Sequence, residues 1–85
     1  MKYLNLNDLK FDSLNYSQKG YELRNCLLKI LNIYPATYRE ISVITNIPYQ
    51  VLLNFIHART SYMSYKYMFN LRMYIKKLNG KSKPY

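Results

Sequence analysis

Few side chains in this sequence could make or break a bond. There is one histidine, His57, one cysteine, Cys26, and four carboxylates: Asp8, Asp12, Glu22 and Glu40. They do not cluster at a spacing that would hold a metal ion. No nucleophile has a base and an orienting group near it in the chain, and no glycine-rich phosphate loop is present. The expectation is a protein with no catalytic residues, no metal and no cofactor, and so not an enzyme. Cys26 lies within an apolar helical run, where a small buried thiol is the expected role.

What remains is the chemistry of binding. Lysine and arginine number 13 against four acids, a net charge of +9. Residues 1–40 hold six basic and four acidic side chains, whereas residues 41–85 hold seven basic and no acidic ones. Such asymmetry points to a polyanionic partner, either nucleic acid or an anionic membrane surface. Charge that serves only solubility is the competing account. A lone cysteine cannot form an internal disulfide, which fits a reducing cytoplasm. No apolar stretch approaches the roughly 20 residues of a membrane span, and residues 1–8 lack the apolar core of a signal peptide.

Binding groups need elements to hold them. At 85 residues the chain is read as one domain. A domain of this size buries only about 60–65% of its unfolded surface, so its core must be tight or shared with a second copy. Residues 1–16 are read as an arm. Leu4, Leu6, Leu9 and Phe11 are spaced for short extended pieces, and packing on the body or on a partner chain fits equally. The body, residues 17–79, is read as four helices. The first runs from Ser17, as N-cap, to Ile33, with Leu23, Leu27, Ile30, Leu31 and Tyr34 as its buried stripe and Lys19, Arg24 and Lys29 on other faces. Pro35 ends it. The second opens at Thr37, where Thr37 and Glu40 have the T-x-x-E spacing of a capping box, and Ile41 and Ile44 are expected to face inward. Asn46 tolerates the left-handed backbone that ends a helix. The third begins at Pro48, a residue favoured at the first helical position, and buries Leu52, Phe55 and Ile56. The fourth spans Tyr65 to Leu78, with Ser64 as N-cap, Met68, Leu71, Ile75 and Leu78 inside, and Lys76 and Lys77 in the last turn. Gly80 is the expected stop, followed by a basic tail over 80–85.

The segment from Thr37 to Arg59 therefore has the parts of a helix-turn-helix: a short capped helix, a tight turn and a second amphipathic helix. Ser42 is the small residue needed where two helices cross steeply, Asn46 makes the turn, and Ile47 plugs the shared core. This segment resembles the helix-turn-helix of the Cro/repressor-like (XRE-type) family. Members usually have alanine in place of Ser42 and glycine in place of Asn46, and often a fifth helix. The resemblance implies an all-α, lambda-repressor-like domain whose recognition helix, residues 48–58, lies in the major groove of DNA. It further implies that the side opposite Leu52, Phe55 and Ile56 faces base edges, which assigns base contacts to Tyr49, Gln50, Leu53, Asn54 and His57. Glutamine and asparagine can pair with adenine, and Leu53 can touch a thymine methyl. Phosphate contacts fall to the flanks: Tyr38 and Arg39 before the motif, Arg59, Thr60 and Ser61 after it, and Tyr65 and Lys66 at the start of the fourth helix.

The 11 tyrosines also need an account. Tyr62, Tyr65, Tyr67 and Tyr74, with Met63, Phe69 and Met73, crowd the C-terminal third. A homodimer interface explains a surplus of aromatic and methionine surface, and so does packing on the arm. The function implied is a sequence-specific double-stranded DNA-binding transcriptional regulator of the repressor kind, from a phage or other mobile element. One rival is a small module that binds a host protein. Another is a non-specific nucleic-acid binder. Membrane binding through the fourth helix is disfavoured, because Lys66, Arg72, Lys76 and Lys77 leave no wide uncharged face.

Overall fold

The computed structural model describes residues 13–81, the last three as backbone alone. Four helices follow one another: α1 (Tyr16–Leu31), α2 (Tyr38–Thr45), α3 (Tyr49–Ile56) and α4 (Tyr65–Lys81). Among the described residues there is no strand. The expected extended pieces and their residues Leu4, Leu6, Leu9 and Phe11 lie outside the described residues.

α1 begins two residues earlier than expected. Its N-cap is Asn15, not Ser17. The reason is reciprocity. The Asn15 side chain accepts from the Gln18 amide at 2.9 Å, and Gln18 Oε1 accepts from the Asn15 amide at 3.1 Å. Three residues after Ser17 stands Gly20, which has no side chain to return the bond. Leu23, Cys26, Leu27 and Ile30 form the buried stripe, with Leu31 and Tyr34 half-buried at its edge. Burial pushes the Cys26 thiol pKa up, which favours an unreactive thiol.

α4 also departs from its expected limits. It runs past Leu78 and through Gly80 to Lys81, so Gly80 is a helical residue and not a stop. Glycine inside a helix costs only about 0.5–1 kcal/mol relative to alanine, too little to end one by itself. Lys76 and Lys77 thus stand a turn before the end. Met68, Leu71 and Ile75 are buried in the core, where α4 packs on α1 and α2, while Phe69 and Met73 stay about half exposed, at 50% and 49%.

The core is continuous. Leu23, Leu27 and Ile30 of α1, Ile41 of α2, Ile47 of the turn, Leu52 and Phe55 of α3, and Leu71 and Ile75 of α4 are all at or below 1% exposed. Every helix therefore has one face committed to a common interior, and the other faces are left to do something else. Among the described residues no helix is long and apolar enough to cross a membrane.

Candidate nucleic-acid interface

α2 is set by its first turn. The Thr37 amide donates to Glu40 Oε1 at 2.8 Å and the Glu40 amide donates to Thr37 Oγ1 at 3.1 Å, a complete capping box. The amide and hydroxyl of Thr37 hold the Glu40 carboxyl below its ordinary pKa. Glu40 is thus a ligand for its own helix, not a free anion beside its neighbours.

The inward residues of α2 are Ile41 and Thr45, one turn apart. Ile44, expected inside, is 64% exposed, and Val43 is 77% exposed. The eight-residue helix has room for one buried row, and position 45 wins it because the threonine hydroxyl can be satisfied locally. Thr45 Oγ1 donates to the Ile41 carbonyl at 2.6 Å, and Asn70 of α4 donates to the Thr45 carbonyl at 3.0 Å.

The reversal into α3 is built locally. Asn46 takes the left-handed conformation, φ 57°, and ends α2. The Ile47 amide returns to the Ser42 carbonyl at 3.1 Å, and Ser42 Oγ donates to the Ile47 carbonyl at 2.5 Å. Ser42 is more than a small residue here, since its hydroxyl closes the turn. Ile47 drops into the core at 1% exposure. Pro48 stands one place earlier than expected, as N-cap, and its carbonyl takes the first helical bond from Leu52.

α3 ends sooner than residue 58. His57 is its C-cap, and Ala58 adopts φ 61°, a left-handed conformation. That reversal carries the chain back over Asn54, whose carbonyl accepts from the amides of Arg59 at 2.8 Å and Thr60 at 3.3 Å. α1 clamps the returning loop. Arg24 Nε donates to the Phe55 carbonyl at 2.7 Å and Arg24 Nη2 donates to the Thr60 carbonyl at 2.9 Å, with the guanidinium 4.9 Å over the Phe55 ring. Gly20 lies so close that an added Cβ would meet the Ser61 carbonyl oxygen at 2.0 Å. Neither clamp residue was expected. Arg24 acts across 31 and 36 positions, beyond any helical spacing. Gly20 did leave a trace: a glycine inside a helical pattern usually has a packing reason.

With one side of α3 buried through Leu52, Phe55 and Ile56, the other side carries the residues assigned to base contact. Gln50 and His57 are exposed, and Tyr49, Leu53 and Asn54 are half-buried. Gln50 Nε2 donates to Asn54 Oδ1 at 3.2 Å, and Arg59 Nη1 donates to the same oxygen at 3.4 Å. The start of α2 reaches both ends of α3. The Arg39 guanidinium lies 4.4 Å over the Tyr49 ring, and Tyr38 meets His57 edge to face at 6.1 Å. Seven of the assigned side chains, Tyr38, Arg39, Tyr49, Gln50, Asn54, His57 and Arg59, thus come together in contact groups around α3.

The others differ. Thr60 and Ser61 have exposed side chains, but their carbonyls face α1. Tyr65 and Lys66 are exposed at the start of α4. Tyr65 stacks on Phe69 at 6.4 Å, within an aromatic group that includes Tyr16 and Tyr62, whose rings meet at 4.8 Å. The Tyr16 phenol is pushed up by burial and by the neighbouring phenols of Tyr65 and Tyr62. Some of the tyrosine surplus is therefore spent inside the molecule. Among the described residues the only acids are Glu22 and Glu40, so no carboxylate from the second half of the chain opposes Arg59 or Lys66.

No family model matches this chain, and neither a curated protein nor a solved structure matches it.

Proposed function

We propose that α2, the Asn46 turn and α3 form a helix-turn-helix of the Cro/repressor-like type, and that the protein binds double-stranded DNA in a sequence-specific way as a transcriptional regulator. α3 enters the major groove. Gln50 and Asn54 meet base edges, flanked by Tyr49, Leu53 and His57. Arg39, Arg59 and Lys66 neutralise phosphates, with the hydroxyls of Tyr38, Thr60, Ser61 and Tyr65 as donors beside them. The protein acts by occupying its site, without catalysis. Two copies bind together, using the exposed Phe69 and Met73 of α4.

One observation carries this reading. α3 is anchored by a fully buried apolar side, and its opposite side holds the hydrogen-bonded group Gln50–Asn54–Arg59 with no carboxylate in it. A solvated helix face of a small basic protein needs no such group, whereas a surface that meets polyanionic DNA gains from it.

A second reading has its own support. Val43 and Ile44 are exposed, and Ile44 borders a groove of about 620 Å³ lined also by Thr45, Asn70, Met73, Tyr74, Lys76 and Lys77. A module that docks a host protein would use such a surface.

Selection from a random duplex pool at about 150 mM salt, near physiological strength, separates them. The expected result is an enriched site, palindromic if two copies bind. The double variant Gln50→Ala/Asn54→Ala should then lose discrimination among sequences while keeping its salt dependence. Uniform binding that fades with salt would instead mark a non-specific binder. Absence of binding at this salt would favour the docking module.

A further inference from the structure

Arg59 has a geometry that a phosphate contact does not require, and what it implies rests on the DNA reading above. The left-handed Ala58 folds the chain back, and the Asn54 carbonyl then holds the Arg59 amide at 2.8 Å. The Arg59 side chain is thereby returned to the Asn54 side chain, with Nη1 at 3.4 Å from Oδ1. A guanidinium has five donors and no acceptor. It must therefore face the oxygen of the Asn54 amide and not its nitrogen. That choice propagates. Gln50, bonded to the same oxygen at 3.2 Å, must present its own Nε2. One arginine thus fixes the polarity of two amides that would otherwise be free to flip.

The hydrogen-bonding groups left over are then defined. Asn54 keeps only the two N–H groups of Nδ2 for a partner, since Oδ1 already accepts twice. Gln50 keeps Oε1 and the second N–H of Nε2. We infer that Arg59 is a positioning residue for base readout, and that the two amides read different bases. Gln50 retains the donor–acceptor pair that matches adenine N7 and N6. Asn54, as a donor only, matches a keto edge, guanine O6 and N7 or thymine O4. It discriminates against adenine and cytosine, whose amino groups would find no acceptor. Positions 50 and 54 are about 6 Å apart along the helix, so the keto base lies one or two base pairs from the adenine.

The test is the selection repeated with Arg59→Met, which keeps the stem and removes every donor. Arg59 is exposed, so folding is spared. Wild type should enrich adenine with guanine or thymine one or two pairs away. In the variant the keto preference should fall about fivefold, the low end of the discrimination one good amide contact supplies, and adenine should enter that position. In the free protein the side-chain amide resonances of Asn54 and Gln50 should shift together on the same substitution. A variant that loses affinity equally for all sequences, with base preferences intact and both amide signals unmoved, would show Arg59 to be a phosphate contact alone, with no positioning role, and overturn the inference. So would a wild type that selects adenine at both positions. A wild type that enriches nothing overturns the specific DNA reading itself, and this inference falls with it.

Discussion

Two reversals of the chain flank α3, and each turns on a single non-glycine residue with positive φ: Asn46 at 57° before it and Ala58 at 61° after it. They are held in different ways. At Asn46 the support is mainly local, with one added bond from Asn70 of α4 to the Thr45 carbonyl. Ser42 and Ile47, five positions apart, exchange a main-chain bond and a side-chain bond. At Ala58 the local support is largely main-chain, from the carbonyls of Asn54 and Phe55, and side-chain and packing support comes from Arg24 and Gly20 of α1. The entry to α3 is therefore held by side-chain and main-chain bonds of its own residues, whereas its exit leans on α1 for side-chain and packing support. If α3 reads DNA, the two sides of the reader have different dependence on the rest of the fold.

The strongest way to break this asymmetry is at Gly20. A methyl there would sit 2.0 Å from the Ser61 oxygen, and 3.3 Å from the Tyr62 Cα. Both are main-chain atoms, so the loop or α1 must move. Gly20→Ala should cost about 2–3 kcal/mol, the upper part of the range for forced overpacking. In a domain this small that lowers the melting temperature by roughly 10 °C or more. An unchanged thermal midpoint would mean that α1 does not press on the loop and that the two reversals are alike.

Next in size is the pair Arg24→Met and Ser42→Ala. Arg24 makes two charge-assisted bonds to carbonyls at the exit, so its loss should cost roughly 1.5–3 kcal/mol. Ser42 makes one neutral bond at the entry, worth about 1 kcal/mol. Denaturant unfolding gives both totals, and hydrogen exchange tells where each is felt. Arg24→Met should speed exchange of the Arg59 and Thr60 amides and leave Ile47 slow, whereas Ser42→Ala should do the reverse. Equal acceleration at both ends in either variant would show that the reversals are one cooperative unit.

The same contrast explains how much was legible beforehand. The Thr37–Glu40 box, the Asn46 reversal and the plug at Ile47 are interactions within a few residues, and residue type with spacing is enough to place them. The buried rows of α1, α3 and α4 follow from the 3.6-residue repeat. The residues assigned to the interface gathered around α3 for the same reason, because Tyr38, Arg39, Tyr49, Gln50, Asn54, His57 and Arg59 all belong to or adjoin the locally specified unit. Errors fell where two local choices competed. Ser17 and Asn15 are both good caps, but only Asn15 has a partner three residues on that can answer it. Ile44 is more apolar than Thr45, yet on a helix of two turns the row is set by Ile41 and by the contact with Asn70. Pro48 and Gly80 were displaced because each marks a helix end only approximately. Arg24 was out of reach: nothing within a turn of it shows that its partners are 31 and 36 residues away.

The smallest expected effect is the most direct comparison of the two reversals. Alanine in the left-handed region carries a steric penalty of about 1–2 kcal/mol, whereas asparagine bears it with little cost. Glycine removes the penalty but loses more chain entropy on folding, about 0.5–1 kcal/mol. Ala58→Gly should therefore stabilise the protein by roughly 0.5–1 kcal/mol, and Asn46→Gly should change it by less than about 0.5 kcal/mol. Paired denaturant titrations would resolve the sign at Ala58. If Ala58→Gly destabilises instead, its methyl is held by the loop that Gly20 and Arg24 support. The exit from α3 would then be specified by packing on Ala58 and not merely tolerated by it. A stabilised variant that also keeps the Arg59–Asn54 bond would leave the reader intact and make its weaker side the firmer one.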